Sequence, residues 1–174
     1  MSVIPPASKN LALRRFFFLL SIIMMVITLD QATKIYIMSA FSLHEIKEVI
    51  PGFFNLTYLR NSGAAFGFLA SVTSAWKHWF FIVVAVVALG FILVLYAQYC
   101  LGSFLYTIAL GLIGGGAVGN VIDRLRYGSV VDFLDVYVGT SHWPAFNIAD
   151  SAICVGVGLF FLANIMTERK KESL

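Results

Sequence analysis

The chain has 174 residues, of which 60% are hydrophobic and 12% are charged. An ordinary soluble domain is about half apolar and about a quarter charged, so this composition excludes one and indicates an integral membrane protein. The formal net charge of +3 is too small and too scattered for a nucleic-acid surface. Cys100 and Cys154 have no CxxC motif and no partner spacing, so neither a disulfide nor a metal site is predicted.

Four membrane-spanning helices are predicted. Three are nearly continuous apolar runs of about 20 residues, enough to cross about 30 Å of hydrocarbon. The first span reaches this length only if its helix continues past Asp30 and Lys34, whose i, i+4 spacing lets them pair on one face. The predicted spans are residues 14–37, 79–97, 104–122 and 148–166.

The charged flanks of these spans predict that both termini are cytoplasmic. A cleaved signal peptide is the alternative for the N-terminus, but no small-x-small cleavage site follows its apolar run. An even number of spans puts both termini on one side, where basic residues favour the cytoplasm. Those residues are Lys9, Arg14, Arg15, Arg169, Lys170 and Lys171. An equal six lie on the opposite side, in longer loops: Lys34, Lys47, Arg60, Lys77, Arg124 and Arg126.

The loop at residues 39–78 is too long for a simple connector. Its segment 48–68 combines aromatic and β-branched residues with Pro and Gly, a pattern typical of short strands and tight turns. Residues 71–80 fit a short interfacial helix with tryptophans at headgroup depth. The predicted fold is a single all-α membrane domain, residues 1–174, with four transmembrane helices, a small extracytoplasmic β element and this short helix.

Acidic residues cluster at one end of the predicted bundle. A charged side chain costs several kcal/mol inside a bilayer, so each such carboxylate is a functional candidate. All of them fall at the non-cytoplasmic end. They are Asp30, Asp123, Asp132, Asp135 and Asp150.

Ordinary structural roles are the alternative for these acids. Asp132 follows Ser129 by three residues, and Asp150 follows Asn147 by three, the spacing of a helix cap. Pairing explains others equally well: Asp123 could form a surface pair with Arg124, and Asp30 an isolated ion pair with Lys34. Five acids at one depth nevertheless favour a site.

Glycines in the third span predict close helix packing. Gly111, Gly115 and Gly119 form a small-xxx-small stripe, and the run lacks the strand and the Lys-Ser/Thr of a phosphate-binding loop. The histidines have no zinc-ligand spacing. They are His44, His78 and His142.

Five sequence blocks carry a family resemblance. They are "DQATK" at 30–34, "NSGAAFG" at 61–67, "GGAVGNVIDR" at 115–124, "VVDFLD" at 130–135 and "FNIADSAI" at 146–153. These blocks, in this order, resemble those of the bacterial lipoprotein signal peptidases, signal peptidase II. The connection at 98–103 departs from the family because it lacks basic residues.

The resemblance implies an intramembrane aspartyl endopeptidase of the bacterial cytoplasmic (inner) membrane. Such an enzyme removes signal peptides from diacylglyceryl-modified prolipoproteins, cleaving before the lipidated cysteine near the extracytoplasmic face. It implies Asp132 and Asp150 as the catalytic pair, no metal or cofactor, membrane lipids as surroundings and inhibition by globomycin-type cyclic peptides. It also implies supporting or substrate-binding roles for Asp30, Lys34, Asn61, Asn120, Asp123, Arg124 and Asn147.

The chemistry of a carboxylate pair fits this function. Two carboxylates held close cannot both ionise cheaply, so the pair shares one proton and supplies a base and an acid near neutral pH. Because the two roles belong to the pair, neither is assigned to one residue.

Two other functions are considered. A magnesium-dependent lipid head-group enzyme would use "DRLRYGSVVDFLD", but two residues separate Asp132 from Asp135 where that motif has three. A small proton-coupled transporter would use the acids as a relay, but it needs charged sites at the cytoplasmic end of spans two to four, which offer none.

Overall fold

The computed structural model describes residues 9–63, 76–99 and 103–172 of the chain. Within these ranges it has four helices, each long and apolar enough to cross a membrane, and four short strands. The helices are α1 (Lys9–Ala40), α2 (Trp76–Tyr99), α3 (Phe104–Tyr127) and α4 (Ile148–Glu172). The strands are β1 (Ile46–Ile50), β2 (Phe54–Asn61), β3 (Val130–Val138) and β4 (Ser141–His142). The predicted four-helix membrane fold with a small β element is confirmed.

The helices are longer than the apolar runs in the sequence. α1 continues without interruption through Asp30 to Ala40. The prediction that the first span needs this continuation to cross the membrane is met. α3 begins at the N-cap Ser103, whose Oγ accepts a hydrogen bond from the Leu105 backbone at 3.3 Å. It ends at Gly128, which has φ +71°, a left-handed conformation that glycine adopts without strain. The helices therefore extend past the apolar runs that cross the hydrocarbon and include polar residues at their ends.

Glycines let α3 approach its neighbours closely. A Cβ on Gly111 would lie 2.9 Å from Ile22, and one on Gly115 would lie 2.7 Å from Val26, both on α1. On another side of α3, a Cβ on Gly116 would collide with the Ala149 carbonyl oxygen of α4. The predicted small-residue stripe is confirmed as a packing surface, and α3 is held against both α1 and α4.

The four strands form one antiparallel sheet in the order β1-β2-β3-β4. The sequence predicted strands only in the loop at 39–78, where β1 and β2 lie. β3 was not predicted. Its buried apolar face carries Val131 and Phe133, which pack with Tyr58 of β2 and Ile37 of α1. This cluster fixes the sheet on the end of α1.

The short interfacial helix of the prediction does not form a separate element from Trp76 onward. Trp76 and Trp79 belong to the first turns of α2 and are exposed. Residues 71–75, the other half of that prediction, lie outside the described residues.

Candidate active site

A cavity of about 730 Å³ lies where the sheet meets the ends of α3 and α4. Its walls come from β2, β3, the segment before α4 and the facing turns of the two helices. Apolar side chains form much of the lining, and the polar groups converge at one part of it. Those polar residues include Asn61, Asn120, Arg124, Asp132, Asp150 and Ser151, and His44 and Arg60 also line the cavity.

Asp132 lies on β3, and each of its oxygens accepts a hydrogen bond from an asparagine amide. Asn61 Nδ2 donates to Oδ2 at 3.0 Å, and Asn147 Nδ2 donates to Oδ1 at 2.8 Å. The residue is only 3% exposed. Burial, and next the negative charge of Asp150, raises the pKa of Asp132 from 3.8 to about 7, although both asparagines and Lys34 oppose the shift. A strand position excludes the helix-capping role for Asp132.

Asp150 lies in the first turn of α4 and faces the same cavity. The backbone N–H of Asp150 donates to Asn147 Oδ1 at 2.9 Å, so Asn147 caps the helix as its spacing predicted. The Asp150 carboxylate accepts a 2.8 Å hydrogen bond from Asn120 Nδ2 of α3. Its side chain is therefore directed across to α3 and is available at the cavity wall.

The buried ammonium group of Lys34 supports this arrangement. Lys34 Nζ contacts Asp30 Oδ2 at 2.9 Å, Asp123 Oδ2 at 2.9 Å and Asn120 Oδ1 at 3.1 Å. The three donors of the ammonium group thus have three acceptors. Because Asn120 Oδ1 accepts from Lys34, its amide nitrogen is turned toward Asp150. The lysine, 1% exposed, orients a residue that contacts the cavity carboxylate.

The pairing alternatives for two acids are wrong. Asp30 does not form an isolated pair, because its second oxygen accepts the Ala149 backbone N–H at 2.9 Å and so holds the start of α4. Asp123 is fully buried and forms no surface pair with Arg124. It accepts from the Val131 backbone N–H at 3.0 Å, which ties α3 to β3.

Arg124 spans three elements at the edge of the cavity. Its Nη2 donates to the Gly63 carbonyl at 3.1 Å, its Nη1 donates to the Asn120 carbonyl at 3.3 Å, and its guanidinium lies 4.9 Å from the Phe81 ring centroid. Asn61 Oδ1 accepts from the Gly63 backbone N–H at 2.9 Å. These contacts connect the chain after β2 to both α2 and α3.

Gln31 is a contributor that the sequence interpretation gave no role. Its Nε2 donates to Asp123 Oδ1 at 2.8 Å, to Asp30 Oδ2 at 3.1 Å and to the Gly119 carbonyl at 3.3 Å. The signal was present in the "DQATK" block, because a polar amide in a membrane helix needs buried partners.

Asp135 is the one acid of the five that lies apart from this site. It is three positions beyond Asp132 on β3, and alternation along a strand turns the two side chains to opposite faces. Its carboxylate contacts Asn55 Nδ2 at 2.9 Å and His142 Nδ1 at 2.8 Å. The predicted convergence therefore holds for the other four acids.

Fold and site together define a multi-pass membrane protein with two carboxylates in one cavity, an arrangement suited to hydrolysis. Asn147 contacts the side chain of one and the backbone of the other. Asp30, Asp123, Lys34 and their amide partners brace both from the helix side. In the part of the chain that is described, no three His, Cys, Asp or Glu side chains form a group that could hold a metal ion.

Comparison with known proteins gives the family. The family model for signal peptidase (SPase) II matches residues 22–166. The lipoprotein signal peptidase of Syntrophus aciditrophicus is 49% identical over 149 residues, covering 86% of this chain and 92% of that protein. That of Geobacter sulfurreducens is 53% identical over 145 residues, covering 83% and 89%.

A solved structure of a bacterial membrane enzyme, at 2.3 Å resolution, is similar over most of the chain. It superposes with a TM-score of 0.78 and 34% sequence identity over 88% of this chain and 91% of that one. This chain belongs to the signal peptidase II family, and it is a peptidase. The resemblance stated from its sequence blocks is confirmed.

Proposed function

We propose that this protein removes signal peptides from diacylglyceryl-modified prolipoproteins, cleaving before the lipidated cysteine with Asp132 and Asp150 as the catalytic pair. The single observation that carries the proposal is that both carboxylates line one cavity and are joined through Asn147. Support for the substrate comes from relatives that bear the name lipoprotein signal peptidase.

Peptide hydrolysis by this pair needs one proton shared between two carboxyl groups. The raised pKa of Asp132, about 7, supports a singly protonated pair near neutral pH. The ionised carboxylate removes a proton from water as the water oxygen attacks the scissile carbonyl carbon. The protonated carboxyl donates to the carbonyl oxygen, and the tetrahedral intermediate then collapses. The C–N bond breaks, the amine leaves with a proton, and the signal peptide keeps the new carboxyl group.

Three asparagines hold the pair in position for these transfers. Asn61 and Asn147 each donate to one oxygen of Asp132, and Asn120 donates to Asp150. These donors fix the direction of both carboxyl planes before substrate enters. Arg124 lies beside them with its guanidinium braced on an aromatic ring, where it can bind a substrate backbone carbonyl.

The remaining supporting residues act at longer range. Asp30, Lys34 and Asp123 form a buried charged network that holds Asn120, the start of α4 and the start of β3. We assign them to positioning and not to chemistry, because their contacts reach the carboxylate pair only through other residues.

We propose a bacterial inner-membrane protein, one domain over residues 1–174, with cytoplasmic termini and an extracytoplasmic site. The equal count of basic residues on the two sides overstates the outer charge. Lys34 is buried between Asp30 and Asp123, so its positive charge is neutralised within the protein. The terminal cations are left as the stronger cytoplasmic signal.

The cavity also suggests two kinds of partner besides substrate. Its apolar lining suits membrane lipid chains, and its converging polar groups suit a cyclic peptide inhibitor of the globomycin type. Such an inhibitor would occupy the space of the scissile segment and bond to the carboxylate pair.

A cleavage assay on a diacylglyceryl prolipoprotein tests the proposal. Mass spectrometry should give one cut before the modified cysteine, undiminished by EDTA and inhibited by globomycin. The same precursor without its lipid is the matched control and should be cut poorly. Cleavage that needs added magnesium, or no cleavage of the lipidated precursor, would overturn the proposal.

A further inference from the structure

The outer wall of the cavity is a short segment between β4 and α4. Trp143, Pro144, Ala145 and Phe146 all line the cavity, and Asn147 follows directly. This segment has little regular structure of its own, since β4 has two residues and the strand contacts are few. Its position relative to the carboxylate pair therefore depends on a small number of contacts with β3.

Side chains on the opposite face of the sheet from Asp132 provide such a fixing point. His142, the last residue of β4, has Nδ1 at 2.8 and 3.0 Å from the two oxygens of Asp135 on β3. A carboxylate only accepts, so Nδ1 carries the proton and donates. Asn55 of β2 donates to the same carboxylate at 2.9 Å, and the His142 ring stacks on Tyr137 at 4.9 Å with an angle of 9°.

Backbone hydrogen bonds hold the wall segment on β3 next to the contact between His142 and Asp135. Directly after His142, the Trp143 N–H donates to the Val136 carbonyl at 2.8 Å. At the other end, Phe146 and Leu134 exchange bonds of 3.0 and 2.8 Å. The segment is thus bonded to β3 at Leu134 and Val136, the residues directly before and after Asp135, and Asn147 follows at its end.

We propose that Asp135 and His142 are positioning residues that hold the substrate-contacting wall, residues 143–146, against β3. The part that concerns substrate rests on the proposed function; the part that concerns the wall does not. The pair contacts no cavity carboxylate, so its loss should weaken substrate binding and leave the chemical step largely intact.

Two variants separate the hydrogen bond from the ring contact. His142→Phe keeps a ring against Tyr137 and removes the donor to Asp135. His142→Asn removes the ring and retains an amide donor close to the Nδ1 position. Glu48→Ala is the control, because it removes the acceptor of a 2.8 Å bond from the Tyr137 hydroxyl but leaves the Tyr137 ring and the bond between His142 and Asp135 in place.

Kinetics on the lipidated precursor gives the first readout. His142→Phe should raise KM about fivefold, equivalent to about 1 kcal/mol and typical of one hydrogen bond, with kcat within about twofold. His142→Asn should recover most of the loss, and Glu48→Ala should match wild type. An unchanged KM in His142→Phe, an equal loss in Glu48→Ala, or a fall in kcat alone would overturn the substrate role.

Hydrogen exchange gives a readout that needs no substrate. In His142→Phe, the amides of Trp143 and Phe146 should exchange faster than in wild type, while those of α3 stay unchanged. Unaltered exchange at 143–146 would overturn the proposed clamp even if the enzyme cleaves as expected. Faster exchange in a protein that never cleaves lipoprotein precursors would support the clamp and refute the function.

Discussion

Asn147 donates a 2.8 Å hydrogen bond to Asp132 from the cap position of the helix that carries Asp150. One side chain therefore holds the Asp132 carboxylate and the Asp150 backbone, although these two residues lie on a strand and a helix. It is fully buried, so solvent cannot replace either bond. This contact explains how two separate parts of the chain meet at one cavity.

Two replacements of Asn147 should separate its roles. Asn147→Ser keeps a capping oxygen but loses the donor to Asp132, whereas Asn147→Ala loses both. Both should lower kcat by at least about tenfold, because Asp132 is no longer held. Only Asn147→Ala should also lose about 1 kcal/mol of stability from the missing cap. Thermal unfolding in detergent beside the cleavage assay checks this, and full activity of Asn147→Ser would contradict it.

Removal of the buried ammonium should be costly for the fold. Lys34→Met leaves Asp30 and Asp123 without their cation, and an unpaired buried charge typically costs about 3–5 kcal/mol. Adding Asp123→Asn should recover part of the loss. Lys47→Met, at an exposed position of β1, is the control and should leave thermal unfolding unchanged. Equal melting temperatures for Lys34→Met and Lys47→Met would refute the ion network.

Close packing of α3 on α4 should be required for activity. A methyl group on Gly116 collides with the Ala149 carbonyl, one residue before Asp150, so Gly116→Ala must shift the start of α4. A displacement of about 1 Å can cost on the order of 100-fold in rate. Gly158→Ala on α4 is the matched control, since nothing lies within 4 Å of its added Cβ. Comparable kcat/KM values for the two variants would contradict the close contact.

The pH profile should show an alkaline decline near neutrality. The pKa of Asp132 is raised from 3.8 to about 7, so this carboxyl keeps its proton below pH 7 and loses it above. Above that pH both members of the pair are charged and the general acid is gone. A plot of kcat/KM from pH 5 to 9 should fall through a pKa of about 7. A constant value up to pH 9 would argue against a shared proton.

The same titration affects stability in a definite direction. The folded state holds a proton on Asp132 between pH 3.8 and about 7 that the unfolded chain releases, so stability falls as pH rises through this window. Asp132→Asn has no such proton. The melting temperature of the variant relative to wild type should therefore rise between pH 5 and 8, and a difference that stays constant would contradict the raised pKa.

The helices were predictable because twenty-residue apolar runs have few alternatives in a membrane. Asn120, Asn147 and the acids at the bundle end followed from motif blocks and from the cost of burying charge. β3 escaped prediction because its sequence, Val130–Val138, mixes two aspartates into an apolar run beside a helix end. Its strand state depends on pairing with β2, whose paired residues lie 69 to 82 positions earlier in the chain.

The contacts within the acid cluster also could not be predicted from residues that are close in sequence. Spacing gave the Asp30 and Lys34 pair correctly, but Asp123 lies 89 positions from Lys34, and only helix packing brings them to 2.9 Å. The separation of Asp135 from the other acids depends on strand alternation, which needs β3 to be known first. Gln31 gains its role from two such distant partners.

The most direct test of the account is cleavage by Asp132→Asn and Asp150→Asn, each measured against wild type on a diacylglyceryl prolipoprotein. Each variant should lose about 10³-fold or more in kcat, since each removes one member of a pair that shares a proton, while membrane insertion and thermal unfolding show a folded protein. Near-wild-type cleavage by either folded variant would contradict the carboxylate pair as the catalytic group.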